Sequence, residues 1–335
     1  MAAVSAVLAA PPGNAQQDVQ VFSRPTQRKR RIYLSHSARE LFTTCGRKYR
    51  FSHVDRLETI HRSSNLGFGG AVHRGCEVFL IAQATGEVVE DPIEAFDRSW
   101  NDFCESHVVD YSSKWDREGL TAVGHRLIQK FMEDWIARGL YVVLDSMGVP
   151  VIERKLKIEL PDEVIYTAII DVLAMTPDGQ ILVIDLKTPA QVAFEGFTEQ
   201  SEQLLGYQVV VDAHAEALGI SQVDGRAFYE LIKRPIPKTS RGEGPVIAPF
   251  HPVGRADDES IRDWIYETLA IANDIRAGRF PKRPGDAYNS PCSMCDMANF
   301  CLSSGADMTG VRKKQHYVPK DVAPVETHIS GTIPF

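Results

Sequence analysis

The chain has 335 residues, 44% of them hydrophobic and 24% charged, with a formal net charge of -7. That is enough apolar material for a core without disulfide staples, and no run reaches the roughly 20 apolar residues of a membrane-spanning helix, so no membrane role is expected. The acidic balance also argues against nucleic-acid binding through bulk charge, leaving local basic clusters or a bound cation to meet phosphate.

In chain order, residues 1 to 32 are rich in Ala, Pro, Gln and Arg without sustained periodicity, and are expected to form a flexible leader. Its apolar opening lacks a preceding positive segment and is not read as an export signal, so a cytoplasmic location is expected. One domain should follow over residues 33 to 303, with a polar tail over 304 to 335. Ser37 with Glu40 offers a capping box for a first helix that ends near Cys45. Gly67, Gly69 and Gly70 suggest a turn into a helix over residues 71 to 84, with His73 in its first turn, and helical core should run through 91 to 140. Residues 151 to 187 change to short β-branched runs that read as a meander of strands. A helix over 198 to 218, a buried strand over 227 to 232, a Pro- and Gly-rich loop over 234 to 256 and a helix over 260 to 277 complete the series.

The stretch IIDVLAMTPDGQILVIDLKT carries the chemistry. Asp171 lies seven residues before Asp178 and Asp185 seven after it, with Pro177, Asp178 and Gly179 supplying the turn, so the two outer aspartates should oppose each other across a hairpin. Opposed side chains have Cβ atoms about 5 Å apart, which suits carboxylates sharing a divalent cation and is otherwise repulsive. Alternation puts Lys187 on the face of Asp185, where an ammonium would orient an attacking water or stabilise phosphate charge. Asp185 also interrupts an apolar run that reads as a buried strand, which makes a solvated ion-pair ladder the weaker reading. Glu153 is a further acidic candidate, balanced against simple pairing with Lys155.

With its flanking strands this hairpin resembles the active-site core of PD-(D/E)XK nucleases. The segments LSHSARELFTTCGRKYRF (residues 34 to 51), GGAVHRG (69 to 75) and EQLLGYQ (202 to 208) resemble the Cys-x-x-Lys-Tyr, Gly-x-x-His and Gln-x-x-x-Tyr motifs of the RecB-like branch, which includes the RecB and AddB nuclease domains and CRISPR-associated adaptation nucleases. Gly46 stands where many members have Pro. The resemblance implies an α/β fold with a central mixed sheet flanked by helices and a helical insertion. It also implies Mg²⁺ or Mn²⁺ bound by His73, Asp171, Asp185 and the carbonyl of Leu186, with Lys187 as catalytic lysine. Gln203 and Tyr207, four apart on one helical face, would touch phosphate or a flanking base.

Cys292, Cys295 and Cys301 have C-x2-C-x5-C spacing, and the resemblance supplies Cys45 as a distant fourth ligand of a 4Fe-4S cluster that ties the N- and C-terminal parts together. Zinc held by four thiolates and a redox C-x-x-C stay open as alternatives. Cys76 and Cys104 read as buried small residues. The function implied is a metal-dependent DNA nuclease, an exonuclease on single-stranded DNA or DNA ends in recombination, repair or phage replication, with a recombinase or helicase as partner. A catalytically silent DNA-binding or assembly subunit and a zinc-stapled interaction protein are the alternatives.

Overall fold

The computed structural model describes residues 30–314 and 330–332, apart from 238, 240–242, 284, 287 and 288. Most of the expected leader therefore lies outside the described residues. The chain opens with β1 (Ile32–Leu34), α1 (His36–Thr44), α2 (Gly46–Tyr49) and a π-helical turn over Arg50–Val54. Next come β2 (Leu57–Thr59), β3 (His61–Ser63), α3 (Ser64–Thr85), α4 (Pro92–Ser106), β4 (Val108–Asp110) and α5 (Arg117–Ala137). The meander follows as β5 (Tyr141–Val142), β6 (Ile152–Leu160), β7 (Val164–Met175) and β8 (Ile181–Lys187). Then run α6 (Glu202–Asp212), β9 (Gly225–Ile232), β10 (Val246–Ile247), β11 (Val253–Gly254) and α7 (Asp258–Arg276). A 3-10 turn over Pro291–Met294, α8 (Ala298–Leu302), β12 (Val311–Lys313) and β13 (Ser330–Thr332) end it.

Three helix starts differ from expectation, and one of them is α6, which begins at Glu202 rather than at residue 198. Ser35, not Ser37, caps α1, its side chain accepting from the Ala38 amide. Helix α3 starts at Ser64 behind the Ser63 cap, so the three glycines lie inside it. Gly67 is there for packing: a Cβ would sit 2.1 Å from the Phe103 ring of α4. A short glycine-rich run signals a turn in sequence, yet here it lets two helices touch. Residues 304 to 335, expected as a polar tail, contribute β12, which pairs antiparallel with β2 and buries Val311.

Among the described residues nine strands form the central mixed sheet, in the order β10-β9-β8-β7-β6-β13, with β1 and β5 also on β7 and β11 on β9. Strand β7 organises it. Antiparallel β6 pairs along one edge from Val164 to Val172, while parallel β1 at Val164–Tyr166 and antiparallel β8 at Val172–Met175 share the other edge. Between them that edge of β7 is open, and Asp171 sits at the rim of the gap. Beyond it β8 pairs parallel with β9, Asp185 opposite Phe228 and Lys187 opposite Glu230.

Helices cover both faces. Leu173 and Val183 join Phe42, Leu204 and Trp264 under α1, α6 and α7. Their neighbours Val172, Leu182, Ile184 and Leu186 join Phe68, Trp100, Phe131 and Trp135 under α3, α4 and α5. Central strands covered on both faces are apolar throughout, which is why β8 reads as an unbroken run. Each large buried side chain contributes about 1.5 to 3 kcal/mol, so the sheet that carries the site is held rigidly.

Candidate active site

The hairpin arithmetic holds: Val172 pairs with Ile184 and Met175 with Ile181, a register that continues to Asp171 opposite Asp185. Thr176 and Gln180 close the turn, and Gly179 takes φ 84° there, a left-handed conformation natural to glycine. Both aspartates are buried, Asp185 at 2% exposure and Asp171 at 8%.

On the other side of β7, Ile152 pairs with Val172 and Arg154 with Ile170, which sets Glu153 opposite Asp171. Glu153 has φ 45°, a left-handed backbone that costs a non-glycine residue about 1 kcal/mol. Alternation slips at this pair. Ile170 packs under α6 and α7, but Val172, two residues on, packs under the opposite layer. The slip turns the carboxylates of Glu153 and Asp171 toward α3. There His73 Nδ1 lies 3.6 Å from Glu153 Oε1 and 3.6 Å from Asp171 Oδ2, and His73 Nε2 lies 2.8 Å from the Leu186 carbonyl. The Leu186 amide donates to Asp171 Oδ2 at 2.8 Å, fixing that carboxylate where the ladder opens.

Ligand atoms of His73, Glu153 and Asp171 all lie within 4.8 Å of one another, a group that could hold a metal ion. A divalent cation with oxygen bonds of about 2.1 Å spans about 4.2 Å between opposite ligands and about 3 Å between adjacent ones, so the spacing fits. The set differs from the expected one in a single member. Glu153 takes the place foreseen for Asp185, because Asp185 faces α6: its Oδ1 accepts from Gln203 Nε2 at 2.6 Å and its Oδ2 lies 2.7 Å from Lys187 Nζ.

Helix α6 supplies that second half. Lys187 Nζ donates to Gln203 Oε1 at 2.8 Å, and Gln203 Nε2 also donates to the Tyr207 hydroxyl at 3.0 Å. Four-residue spacing brings Gln203 and Tyr207 together on one face, and the bare Cα of Gly206 lets the helix lie close to Trp264 and Tyr166, which a Cβ would meet at 2.8 Å. One residue escaped the sequence reading: His36, at the start of α1, is lowered to about 4 by burial and by the positive charges of Lys187 and Arg39, so it is neutral near the lysine.

Electrostatically the site is a hole for positive charge. Burial raises the Asp171 carboxyl to about 7, and repulsion from Asp185 adds to the rise. Burial also raises Asp185, against the pull of Lys187. For His73, burial works to lower the pKa but is outweighed by the hydrogen bond to Glu153 and the charges of Asp171 and Asp185, which lift it to about 9. A cation bound among these groups would replace the protons that otherwise compensate them.

A family model for the PD-(D/E)XK nuclease superfamily matches residues 33–302. The chain belongs to this superfamily. Superfamily members are typically nucleases that use divalent metals. No curated protein matches the sequence. A solved structure titled "Crystal structure of SSO0001" aligns at 11% identity over 79% of this chain and 95% of that one, with a TM-score of 0.30.

The four expected cysteines line one pocket, together with Lys48, Phe51 and Met297. Cys45 ends α1, Cys292 lies in the 3-10 turn with Cys295 at its end, and Cys301 lies in α8. All are free thiols. No three of these sulfurs lie within 4.8 Å of one another among the described residues, whereas four thiolates on one zinc ion would stand about 3.8 Å apart. Lys48 pairs with Asp296 at 2.7 Å and Arg283 donates to the carbonyls of Thr43 and Thr44, so these two cations pin the C-terminal segment to α1 and α2. Gly46 also has its reason here. A Cβ would meet Pro281 at 2.7 Å, and the Arg47 amide donates to the Pro281 carbonyl. Cys76 is fully buried under α3 to α5, and Cys104 is half-buried beside the Tyr111 hydroxyl.

Proposed function

We propose that this chain is a divalent-metal-dependent deoxyribonuclease of the RecB-like branch, working as an exonuclease on single-stranded DNA or DNA ends. The observation that carries this reading is the meeting of His73, Glu153 and Asp171 within one ligand sphere, beside the linked chain Asp185, Lys187, Gln203 and Tyr207. Mg²⁺ or Mn²⁺ would be held by His73, Glu153 and Asp171, with Asp185 on the α6 side positioning Lys187 and Gln203. The ion would supply Lewis-acid polarisation of a phosphate oxygen. Lys187 would orient the attacking water or donate to the developing phosphate charge, and Gln203 aims it by accepting one of its hydrogens. Tyr207 is pushed far above its usual range by burial and the nearby carboxylates, so it remains a neutral hydroxyl that receives the Gln203 amide.

The four cysteines would hold a 4Fe-4S cluster joining α1 to the C-terminal segment. The meeting of all four cysteines in one pocket supports this reading. A reducing, cytoplasmic setting suits six free thiols, and recombination, repair or phage replication, beside a recombinase or helicase, is the pathway class that would use such an end-processing enzyme.

The test is digestion of end-labelled single- and double-stranded DNA with Mg²⁺ or Mn²⁺ by anaerobically purified protein, against Asp171→Ala and Lys187→Ala. Cutting by the wild type alone supports the reading, and the label position gives polarity. Binding without cutting under either metal would replace it with a catalytically silent DNA-binding subunit.

A further inference from the structure

The segment joining β8 to α6 leaves Lys187 and carries apolar side chains into water: Phe194 is 64% exposed and Phe197 39%. Their rings pack edge to face at 5.4 Å, and Phe197 leans on Phe228 of β9 at 5.3 Å. Phe228 in turn lies 5.4 Å from Lys187 Nζ. A series of ring contacts thus links the ammonium, through the buried Phe228, to the exposed rings of the loop. Beside it opens a groove of about 490 Å³ lined by Phe194, Phe228, Glu195, Glu199, Glu230 and His251 among others. The backbone of the loop is tied down, since the Ala193 amide donates to the Glu230 carboxylate at 3.2 Å.

Charge decides what such a groove accepts. Among its described lining residues are three glutamates and neither Lys nor Arg, so a sugar-phosphate backbone would be repelled. The part of a nucleic acid that is flat and uncharged is the base, which stacks on exposed aromatic rings whatever its sequence. Carboxylates at the rim add discrimination: they accept from the exocyclic amine of cytosine but face the O4 lone pairs of thymine. We propose that this groove takes the nucleobase of a nucleotide adjoining the scissile phosphate, stacked on Phe194, which Phe197 supports edge to face, and that Glu195 and Glu199 favour cytosine over thymine there. The inference rests on the nuclease reading, because it takes Lys187 as the reacting end of that series of contacts. It adds the specificity-determining residues and the base class that they select.

The experiment measures binding of fluorescein-labelled single-stranded homopolymers of deoxycytidine and of thymidine to the full chain in calcium, with intactness of the DNA checked on a gel. Wild type should bind the cytosine strand about tenfold more tightly than the thymine strand. Phe194→Ala with Phe197→Ala should weaken both by about tenfold, while Phe194→Trp retains binding and thereby separates stacking from misfolding. Glu195→Ala with Glu199→Ala should erase the cytosine preference, with thymine binding equal to or tighter than that of the wild type. Equal affinity of wild type for the two strands, absence of binding, or wild-type affinity in the double phenylalanine variant would each overturn the proposal. Wild-type cleavage of DNA beside an inert groove would defeat this inference while the nuclease reading stands. Cytosine-selective, phenylalanine-dependent binding without cleavage under Mg²⁺ or Mn²⁺ would do the reverse.

Discussion

The carboxylate site and the cysteine pocket are held in opposite ways. Around the hairpin, two extensive apolar layers clamp the sheet from both faces, and the side chains of the site are fixed by one another's hydrogen bonds. Around the cysteines the buried apolar set is Leu57, Met297 and Val311, with Phe51 and Phe300 packed against it. A core that small cannot offset the conformational entropy of ordering α8, β12 and the turns between them. The rigid region can tolerate a charged, unfavourable site, whereas the small one would depend on the cross-link proposed for its four cysteines. Removing that cross-link should therefore give the largest change. Cys295→Ser, or iron chelation, should cost the lobe on the order of several kcal/mol and expose residues 291 to 313 and 57 to 59 to hydrogen exchange, with protection of β7 and β8 unchanged. Unaltered exchange in the lobe would show that its own packing suffices.

The converse break leaves the fold alone. Lys187→Ala should lower cleavage by about 10² to 10³-fold, and Asp185→Asn by at least as much. Because Asp185 is a buried carboxylate that raises its neighbour Asp171, the asparagine variant should also be more stable without metal, by about 1 to 2 kcal/mol. A metal-free melting temperature that falls instead would mean that the Lys187 pairing outweighs burial and repulsion.

This contrast also explains what was legible in the sequence. The opposition of Asp171 and Asp185 follows from strand arithmetic around a strong turn, and the buried strand β8 from its unbroken apolar run. Gln203 and Tyr207 fall together by helical spacing. Glu153 could not be placed with the same assurance, because strict alternation does not foresee a left-handed residue that shifts two strands' faces at one pair. Likewise Gly67 reads as a turn until the Phe103 ring is seen against it, and β12 is too short and polar to be recognised without its partner β2. What the sequence hides, in each case, is a contact made by residues distant along the chain.

Acidity should sharpen the comparison more gently. His73 is raised to about 9, so its stabilisation is full below the unfolded value of 6.5 and is lost as pH rises toward 9. Asp171, raised to about 7, destabilises in the same direction as pH climbs from 3.8 to 7. His36, lowered to about 4, acts oppositely, but only below 6.5. Metal-free protein should thus lose on the order of 1 to 2 kcal/mol between pH 6.5 and 9, and the rise in melting temperature on adding Mn²⁺ should grow over that interval, since binding displaces protons. A thermal-shift series with and without the ion reads both. A metal-free melting temperature that holds steady across the interval would show that the hole for positive charge is shallower than its geometry implies.

The smallest expected effect isolates the strain itself. At φ 45° Glu153 occupies a backbone region that glycine enters freely, so Glu153→Gly removes a side chain and a conformational cost together. Stability should stay level or rise by up to about 1 kcal/mol, whereas Glu153→Ala, which keeps the strain and loses the carboxylate, should gain nothing from backbone relief. Both should weaken Mn²⁺ binding, measured by calorimetry, because both lose the same ligand. If the two variants have equal stability, the left-handed turn at Glu153 is cheap and its place opposite Asp171 owes nothing to stored strain. If glycine is the more stable, the chain holds an unfavourable backbone in order to bring a third ligand to His73 and Asp171.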